Sequence, residues 1–142
     1  MIVYLDTSAL VPLLIEEPSS TACRRVWDDA DDVVSSRLGY VETAAVLSQA
    51  RRLDRLTSKQ RRSALNGLDD IWSQILIAEI DRPLVDRAAF LADQFALRGY
   101  DAVHCASAEV VNGDTVVAAG GDRQLLAAWK ALGINTFDTN AT

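Results

Sequence analysis

Four consecutive apolar residues near the start of the chain, Ile2-Val3-Tyr4-Leu5, constrain the fold more than any other feature of the sequence. A strand with one solvated face alternates polar and apolar residues, whereas an unbroken apolar run is typical of a strand buried on both faces. Such strands belong to parallel sheets that helices cover on both sides. We therefore predict a central strand of an α/β domain here, with Asp6 directly at its carboxyl end.

Short apolar segments alternate with helical patterns along the rest of the sequence. Further strands are predicted at residues 33–36, 78–80, 115–119 and 134–137. From the helical spacing of apolar side chains, helices are predicted at residues 9–15, 19–27, 39–53, 57–77, 81–99, 101–111 and 122–132. This alternation predicts an α/β fold, with a single domain over residues 1–142. Its parallel central sheet would be flanked by helices as an α/β/α sandwich.

The composition is typical of one soluble domain that folds without structural metals or disulfides. The 142 residues are 49% hydrophobic and 24% charged, and a chain of this size buries enough surface for a stable core. No apolar run approaches the roughly 18 residues of a membrane span, and the first residues lack the basic segment of a secretory signal. We therefore expect a cytoplasmic protein without membrane association, with reduced, buried thiols at Cys23 and Cys105.

Charge is distributed unevenly along the chain. The net charge of −6 argues against nucleic-acid binding driven by the charge of the whole molecule. Residues 51–62, however, contain six basic side chains and one acidic side chain. This basic segment begins with Arg51, Arg52 and Arg55. It is either a solvated helix face or a surface that contacts the phosphates of a polyanion.

Four acidic residues stand where a ligand site is expected. Asp6 and Asp122 follow predicted strands. Asp101 begins a predicted helix, and Glu42 lies early in a mostly apolar one. Ligands of open α/β sheets bind beyond the carboxyl ends of the strands. Taken singly, each aspartate is also explained as a helix N-cap, and Glu42 as a solvated helix residue.

A site shared by the four acids requires a cation. Carboxylates that converge in one crevice repel each other, and some of them protonate unless a positive charge lies between them. Carboxylate oxygens are the ligands that Mg²⁺ and Mn²⁺ prefer. Zinc is disfavoured, because His104 is the only histidine and neither cysteine has a partner at metal-ligand spacing. His104 is either a satisfied, half-buried side chain or a contact of the acidic site, one helical turn beyond Asp101.

Four segments of the sequence carry a resemblance to a known family. They are Asp6-Thr7-Ser8-Ala9-Leu10, Tyr40-Val41-Glu42-Thr43, Tyr100-Asp101-Ala102-Val103-His104 and Gly121-Asp122-Arg123-Gln124-Leu125. In these segments, and in its length and element order, the chain resembles a PIN-domain protein. More narrowly, it resembles the VapC-like ribonuclease toxins of bacterial toxin–antitoxin pairs. The resemblance implies a single PIN-like domain.

The resemblance also implies the chemistry of the site. One or two Mg²⁺ ions, or Mn²⁺, would be bound by an acidic quartet consisting of Asp6, Glu42, Asp101 and Asp122. Thr7 and Ser8 would orient Asp6 or its bound water. Metal-activated water would hydrolyse an RNA phosphodiester to a 3′-hydroxyl and a 5′-phosphate. The chain departs from the family pattern at Gly120, where members often carry Ser or Thr two residues before the fourth acid.

Partners are implied in the same way. They are an RNA substrate, a cognate antitoxin that covers the acidic crevice, and a second copy of the chain in a homodimer. Arg51, Arg52 and Arg55 are candidate RNA contacts. The apolar segments at residues 10–15 and 47–56 are candidate antitoxin contacts, although core packing explains them as well.

Three other functions compete with this interpretation. A haloacid-dehalogenase-like phosphatase needs a second aspartate where Ser8 stands. A phosphoacceptor receiver domain needs a lysine after a late strand, where residues 119–121 supply none. The third is a catalytically weak PIN-fold module that binds RNA or an antitoxin, and Gly120 favours it. RNA cleavage that requires Mg²⁺ would separate the enzyme from this module.

Overall fold

The computed structural model describes residues 1–141 and contains five strands and seven α-helices in that range. The strands are β1 (Ile2–Leu5), β2 (Asp32–Ser36), β3 (Leu76–Ala78), β4 (Val116–Gly120) and β5 (Asn135–Asp138). The helices are α1 (Thr7–Leu10), α2 (Ser20–Asp29), α3 (Leu38–Arg52), α4 (Ser58–Trp72), α5 (Arg82–Phe95), α6 (Gly99–Val111) and α7 (Arg123–Ala131). A 3₁₀ turn, Val11–Leu13, follows α1 directly.

All neighbouring strands pair in parallel, in the order β3-β2-β1-β4-β5. β1 is therefore central, as its apolar run predicts. The chain moves outward from β1 through β2 to β3 and then returns to the other side of β1 with β4. This reversal opens a crevice beyond the carboxyl ends of β1 and β4, which is where ligands of such sheets bind.

Helices cover both faces of the sheet over two separate apolar clusters, so the predicted α/β/α sandwich is confirmed. β1 contributes to both clusters, because successive side chains of a strand point to opposite faces. Tyr4 packs with α5, α6 and α7, in the cluster that contains the fully buried Trp129. Val3 and Leu5 pack on the other face with α1 and α2.

The third strand differs from its prediction. It covers Leu76–Ala78 rather than residues 78–80, and α4 ends at Trp72 rather than at residue 77. Apolar residues at 75–77 fit the helical pattern of α4, but Leu76 and Ile77 pair with Val34 and Ser35 of β2. Strand pairing at the sheet edge therefore overrides the local helical pattern.

The junction between α5 and α6 also differs from its prediction. α5 ends at Phe95, and its C-cap residue Ala96 takes the left-handed conformation with φ 53°. Gly99 is the first residue of α6 rather than the end of α5. Arg98 is extended at the N-cap position of α6. Asp101 therefore lies within the first turn of the helix and does not start it.

The long helix α3 buries a face of small and apolar residues against neighbouring helices, namely Gly39, Thr43, Leu47 and Ala50. Val41, which fits an apolar stripe in the sequence, is 58% exposed. Glu42 lies beside the buried face and is partly buried. Packing against α1 and α4 thus selects the buried face and turns Glu42 toward the end of β1.

Two further predictions concern cysteines and membrane spans. Cys23 and Cys105 are free and buried, as predicted. Within residues 1–141, no helix combines the length and the apolar character needed to cross a lipid bilayer.

Candidate active site

A cavity of about 450 Å³ lies in the crevice beyond the carboxyl ends of β1 and β4. Its lining includes all four acids singled out in the sequence, Asp6, Glu42, Asp101 and Asp122. They come from the end of β1, from α3, from α6 and from the residue before α7. The fold therefore brings together carboxylates that lie far apart along the chain, and Thr7 and Ser8 line the same cavity.

Asp6 is the most deeply buried of these acids. It occupies the N-cap position of α1, but its side chain accepts no capping hydrogen bond, so the capping explanation is wrong for this residue. Ser8 Oγ instead donates to Asp6 Oδ1 at 2.6 Å. Burial raises the pKa of Asp6 from 3.8 to about 6; the charge of Asp101 adds to this, while His104 and the Ser8 hydrogen bond oppose it. The structure thus holds a carboxylate where its charge is poorly solvated.

Gly120 provides the space for the Asp6 carboxylate. A Cβ atom at position 120 would lie 2.6 Å from Asp6 Oδ1 and 2.9 Å from its Cγ. Ser8 Oγ bridges the two chain segments here, because it also accepts a hydrogen bond from the Gly121 N–H at 2.8 Å. Gly120 therefore lies against Asp6, and Ser8 supplies the polar contact to this carboxylate.

Glu42 is fixed by a buried chain of hydrogen bonds. His104 Nε2 lies 2.6 Å from Glu42 Oε1, and Thr7 Oγ1 donates to the same oxygen at 2.9 Å. Because a carboxylate only accepts, Nε2 carries the proton of this contact. Partial burial acts to raise the pKa of Glu42, but the hydrogen bonds from His104 and Thr7 outweigh it, so the pKa is lowered.

The other nitrogen of His104 contacts the central strand. His104 Nδ1 lies 2.7 Å from the hydroxyl of Tyr4, and both side chains are fully buried. Burial raises the pKa of Tyr4 well above its ordinary value, so the phenol keeps its proton. The two explanations offered for His104 are therefore both correct, since it is a satisfied buried histidine that also contacts the acidic site.

Asp101 and Asp122 are linked by an arginine. Arg98 Nε lies 3.2 Å from Asp101 Oδ2, and an Arg98 terminal nitrogen lies 3.9 Å from Asp122 Oδ2. Asp122 Oδ1 accepts a hydrogen bond from the Leu125 N–H at 2.9 Å, so the capping explanation is correct for Asp122. Asp101 lies inside the first turn of α6 and caps nothing.

Each acid engages one oxygen in a hydrogen bond, and at Asp122 the other oxygen lies 3.9 Å from a terminal nitrogen of Arg98. The engaged atoms are Oδ1 of Asp6, Oε1 of Glu42, Oδ2 of Asp101 and Oδ1 of Asp122. As the side chains stand, no three His, Cys, Asp or Glu groups among residues 1–141 form a ready-made metal cluster. The carboxylates therefore share one cavity without yet converging on one point.

Three residues of this site, Tyr4, Arg98 and Asn140, were not predicted from the sequence. Tyr4 looks like an ordinary core residue, and Asn140 lies in a C-terminal segment without a recognisable pattern. Arg98 stands three residues before Asp101, a spacing that places the two side chains on one face of a helix and offers a usable signal. Asn140 lines the cavity, and its Nδ2 donates to the Gly121 carbonyl at 3.3 Å.

The basic segment lies elsewhere. Arg51 and Arg52 are exposed at the carboxyl end of α3, and neither lines the acidic cavity. Arg55 forms an ion pair with Glu17 at 3.0 Å. Arg51 and Arg52 thus lie away from the four acids, while Arg55 contacts the edge of the acidic cavity through Glu17.

Comparisons with known proteins identify the family of the chain. The PIN domain family matches residues 3–139. Ribonuclease VapC45 of Mycobacterium tuberculosis is 40% identical over 124 residues, which cover 87% of this chain and 86% of that protein.

Solved structures show the same fold at low sequence identity. The crystal structure of PAE2754 from Pyrobaculum aerophilum has a TM-score of 0.69 at 22% identity, covering 96% of this chain and 89% of that chain. A toxin–antitoxin complex from Klebsiella pneumoniae contains a chain with a TM-score of 0.64 at 16% identity, covering 99% of each chain. By its family match and its sequence relatives, the protein belongs to the PIN domain family and is a relative of the VapC ribonucleases.

Proposed function

We propose that this protein is a Mg²⁺-dependent endoribonuclease that acts as the toxin of a toxin–antitoxin pair. The observation that carries the proposal is the meeting of Asp6, Glu42, Asp101 and Asp122 in one cavity at the switch point of the sheet. The 40% identity to a protein named as a ribonuclease supports the same activity.

The residues of the cavity fit a hard divalent cation. Carboxylate and hydroxyl oxygens line it, and such oxygens are preferred by Mg²⁺ and by Mn²⁺ as an alternative. The buried Asp6 carboxylate, with its raised pKa, is a group that a cation would stabilise. Arg98 now supplies the positive charge beside Asp101 and Asp122. Its side chain is largely exposed, so it can move aside without disturbing the core.

The chain's own residues prepare the site for this chemistry. A bound Mg²⁺ would lower the pKa of a water molecule and offset the charge of the phosphodiester. Asp6 and Asp101 are the proposed principal ligands, joined by Glu42 and Asp122. Ser8 fixes one oxygen of Asp6 and leaves the other free. His104 and Thr7 do the same for Glu42, so its carboxylate is held in a single orientation.

The proposal is tested by the metal dependence of RNA cleavage. Purified protein is expected to cleave single-stranded RNA with Mg²⁺ or Mn²⁺, to stop in EDTA, and to recover when excess metal is added. Attack by water predicts products with 5′-phosphate and 3′-hydroxyl ends, which end-labelling and phosphatase treatment identify. Undiminished cleavage in EDTA, or products with cyclic phosphate ends, would contradict the proposal.

Gly120→Ala is expected to weaken metal binding by roughly 10- to 100-fold, the range seen when groups that orient metal ligands are removed. The new methyl group would lie 2.6 Å from Asp6 Oδ1 and would push the carboxylate out of its position. Titration with Mn²⁺, followed by electron paramagnetic resonance, measures the effect. Gly113→Ala is the matched control, because its Cβ would have no neighbour within 4 Å. Equal Mn²⁺ affinity in both variants would show that Gly120 does not position Asp6.

The proposed partners are a cognate antitoxin and a second copy of the chain, in the cytoplasm. The fold shared with a chain of a toxin–antitoxin complex supports an antitoxin partner. A separate cavity of about 520 Å³, away from the four acids, is lined by Leu13, Leu14, Ile15 and Leu56. These apolar residues belong to the two segments that are expected to contact the antitoxin. The free thiols of Cys23 and Cys105 agree with a reducing compartment.

A second candidate is a catalytically weak PIN-fold module that binds RNA or an antitoxin. The pairing of Arg98 with Asp101 and Asp122, and the absence of a ready-made metal cluster within residues 1–141, favour it. RNA binding without Mg²⁺-dependent cleavage would support this module over the enzyme.

A further inference from the structure

The acidic cavity continues into a second hollow, of about 530 Å³, at the start of α6. The two share Glu42, Arg98 and Asp101, and the second hollow adds Gly99 and Tyr100. Tyr100 is 65% exposed, although it belongs to a helix whose other aromatic ring, His104, is fully buried. Core packing therefore does not account for the position of this phenol.

A third hollow, of about 320 Å³, continues from a different part of the acidic cavity. Here the shared residues are Pro18, Ser19 and Asn140, and the third hollow adds Arg25 of α2. It has no lining residue in common with the hollow beside Tyr100. The three hollows thus form one trough, from Tyr100 through the acidic cavity to Arg25.

We propose that this trough is the path of single-stranded RNA, with a base stacked on Tyr100 and phosphates contacting Arg98 and Arg25. The inference rests on the proposed function, because it assigns the substrate path of that site. An exposed aromatic ring stacks on a base of any identity, and only unpaired bases offer their faces. A duplex keeps its bases stacked on each other, so it would not offer a base to Tyr100.

The charges along the trough fit this path. The central cavity is acidic, with Glu17 beside the four acids, and its one arginine is Arg98. Among residues 1–141, Arg25 is the one charged side chain that lines the third hollow. A polyanion that approaches these carboxylates needs cations next to them, and the trough supplies one on each side of the metal-binding position.

The test is RNA binding by an Asp6→Asn background, so that the substrate is not consumed. Fluorescence anisotropy with a labelled single-stranded RNA is expected to show binding about 5- to 150-fold weaker for Tyr100→Ala, the range for loss of one base–aromatic stack. Tyr100→Phe keeps the ring and is expected to retain the affinity. Arg25→Ala is expected to reduce the slope of log affinity against log salt by about 0.7.

Matched controls come from exposed side chains outside the trough. Phe90→Ala removes an aromatic ring that is 57% exposed on α5. Arg24→Ala removes the exposed arginine next to Arg25. Both controls are expected to bind like the background variant. If Tyr100→Ala binds normally while reversing the charge of Arg51 abolishes binding, the RNA path lies on the basic segment and the inference is wrong. A loss of dimerisation in Tyr100→Ala with unchanged RNA affinity would also overturn it.

Failure of this inference is distinguishable from failure of the proposed function. Mg²⁺-dependent cleavage that Tyr100→Ala and Arg25→Ala leave unchanged would keep the nuclease and remove the trough as its substrate path. RNA binding that depends on Tyr100, in a wild-type protein that cleaves no RNA, would keep the trough and remove the nuclease.

Discussion

Asp101→Asn is expected to slow RNA cleavage on the order of 10²–10³-fold, because it removes a ligand of the ion that would offset the charge of the transition state. The substitution preserves shape but removes the negative charge that faces the proposed ion. Asp101 makes no capping hydrogen bond, so the helix keeps its backbone contacts. The measurement is the rate of cleavage at saturating RNA, over a range of Mg²⁺ concentrations.

The control for this variant is Asp93→Asn, which neutralises an exposed acid on α5 outside the cavity. It is expected to cleave RNA at the wild-type rate. A thermal melt of Asp101→Asn verifies that the fold is retained after Arg98 loses its partner. Wild-type cleavage by a folded Asp101→Asn variant would exclude Asp101 from the reaction and weaken the whole assignment of the site.

Asp6→Asn is expected to stabilise the metal-free protein at pH 7.5 by up to about 3 kcal/mol, the free-energy equivalent of the raised pKa of Asp6, while it removes the response to metal. Burial raises the pKa of Asp6 to about 6 in the folded state, against 3.8 without that burial. The folded state therefore holds this proton more tightly than the unfolded state. The contribution of Asp6 to the free energy of unfolding falls as the pH rises from about 4 to about 6, and the ionised carboxylate is destabilising above that range. The amide has no charge to desolvate, and its oxygen still accepts from Ser8.

Denaturant unfolding in EDTA at pH 4.5 and at pH 7.5 measures this effect. The stability gained by Asp6→Asn over wild type is expected to be larger at pH 7.5 than at pH 4.5. Mg²⁺ is expected to stabilise the wild-type protein at pH 7.5 by binding its folded state, and to have little effect on the variant. A variant less stable than wild type at both pH values would show that the buried charge is already compensated without metal.

The repeated alternation of apolar runs and helical patterns was enough to predict the layered fold and the central place of β1. The same pattern gave a wrong prediction where both a helix and a strand fit the same residues. Leu76 and Ile77 continue the helical pattern of α4, yet they pair with β2. Similarly, Val41 fits an apolar stripe but is exposed, because the packing of α3 is decided by neighbours distant in the sequence.

The candidate site was also predictable only in part. Asp6 could be placed from sequence because it ends an apolar strand, and the carboxyl end of such a strand is a position that a parallel sheet leaves open. The capping explanation was correct for Asp122 and wrong for Asp101, although both aspartates precede helical patterns. Asp122 is the N-cap of α7, whereas the N-cap of α6 is Arg98, three residues before Asp101. A difference of this size in the start of a helix lies below what local patterns define.

The sequence by itself determined the order of the strands and helices and which acids follow strands, because these properties depend mainly on neighbouring residues. The boundary between α4 and β3 was decided by strand pairing with β2. The tertiary structure alone decided that Gly120 makes room for Asp6, that His104 joins Tyr4 to Glu42, and that Arg98 lies between two aspartates. Those contacts join residues from different elements of the chain. Their geometry is set by how strands and helices pack, and no local pattern records it.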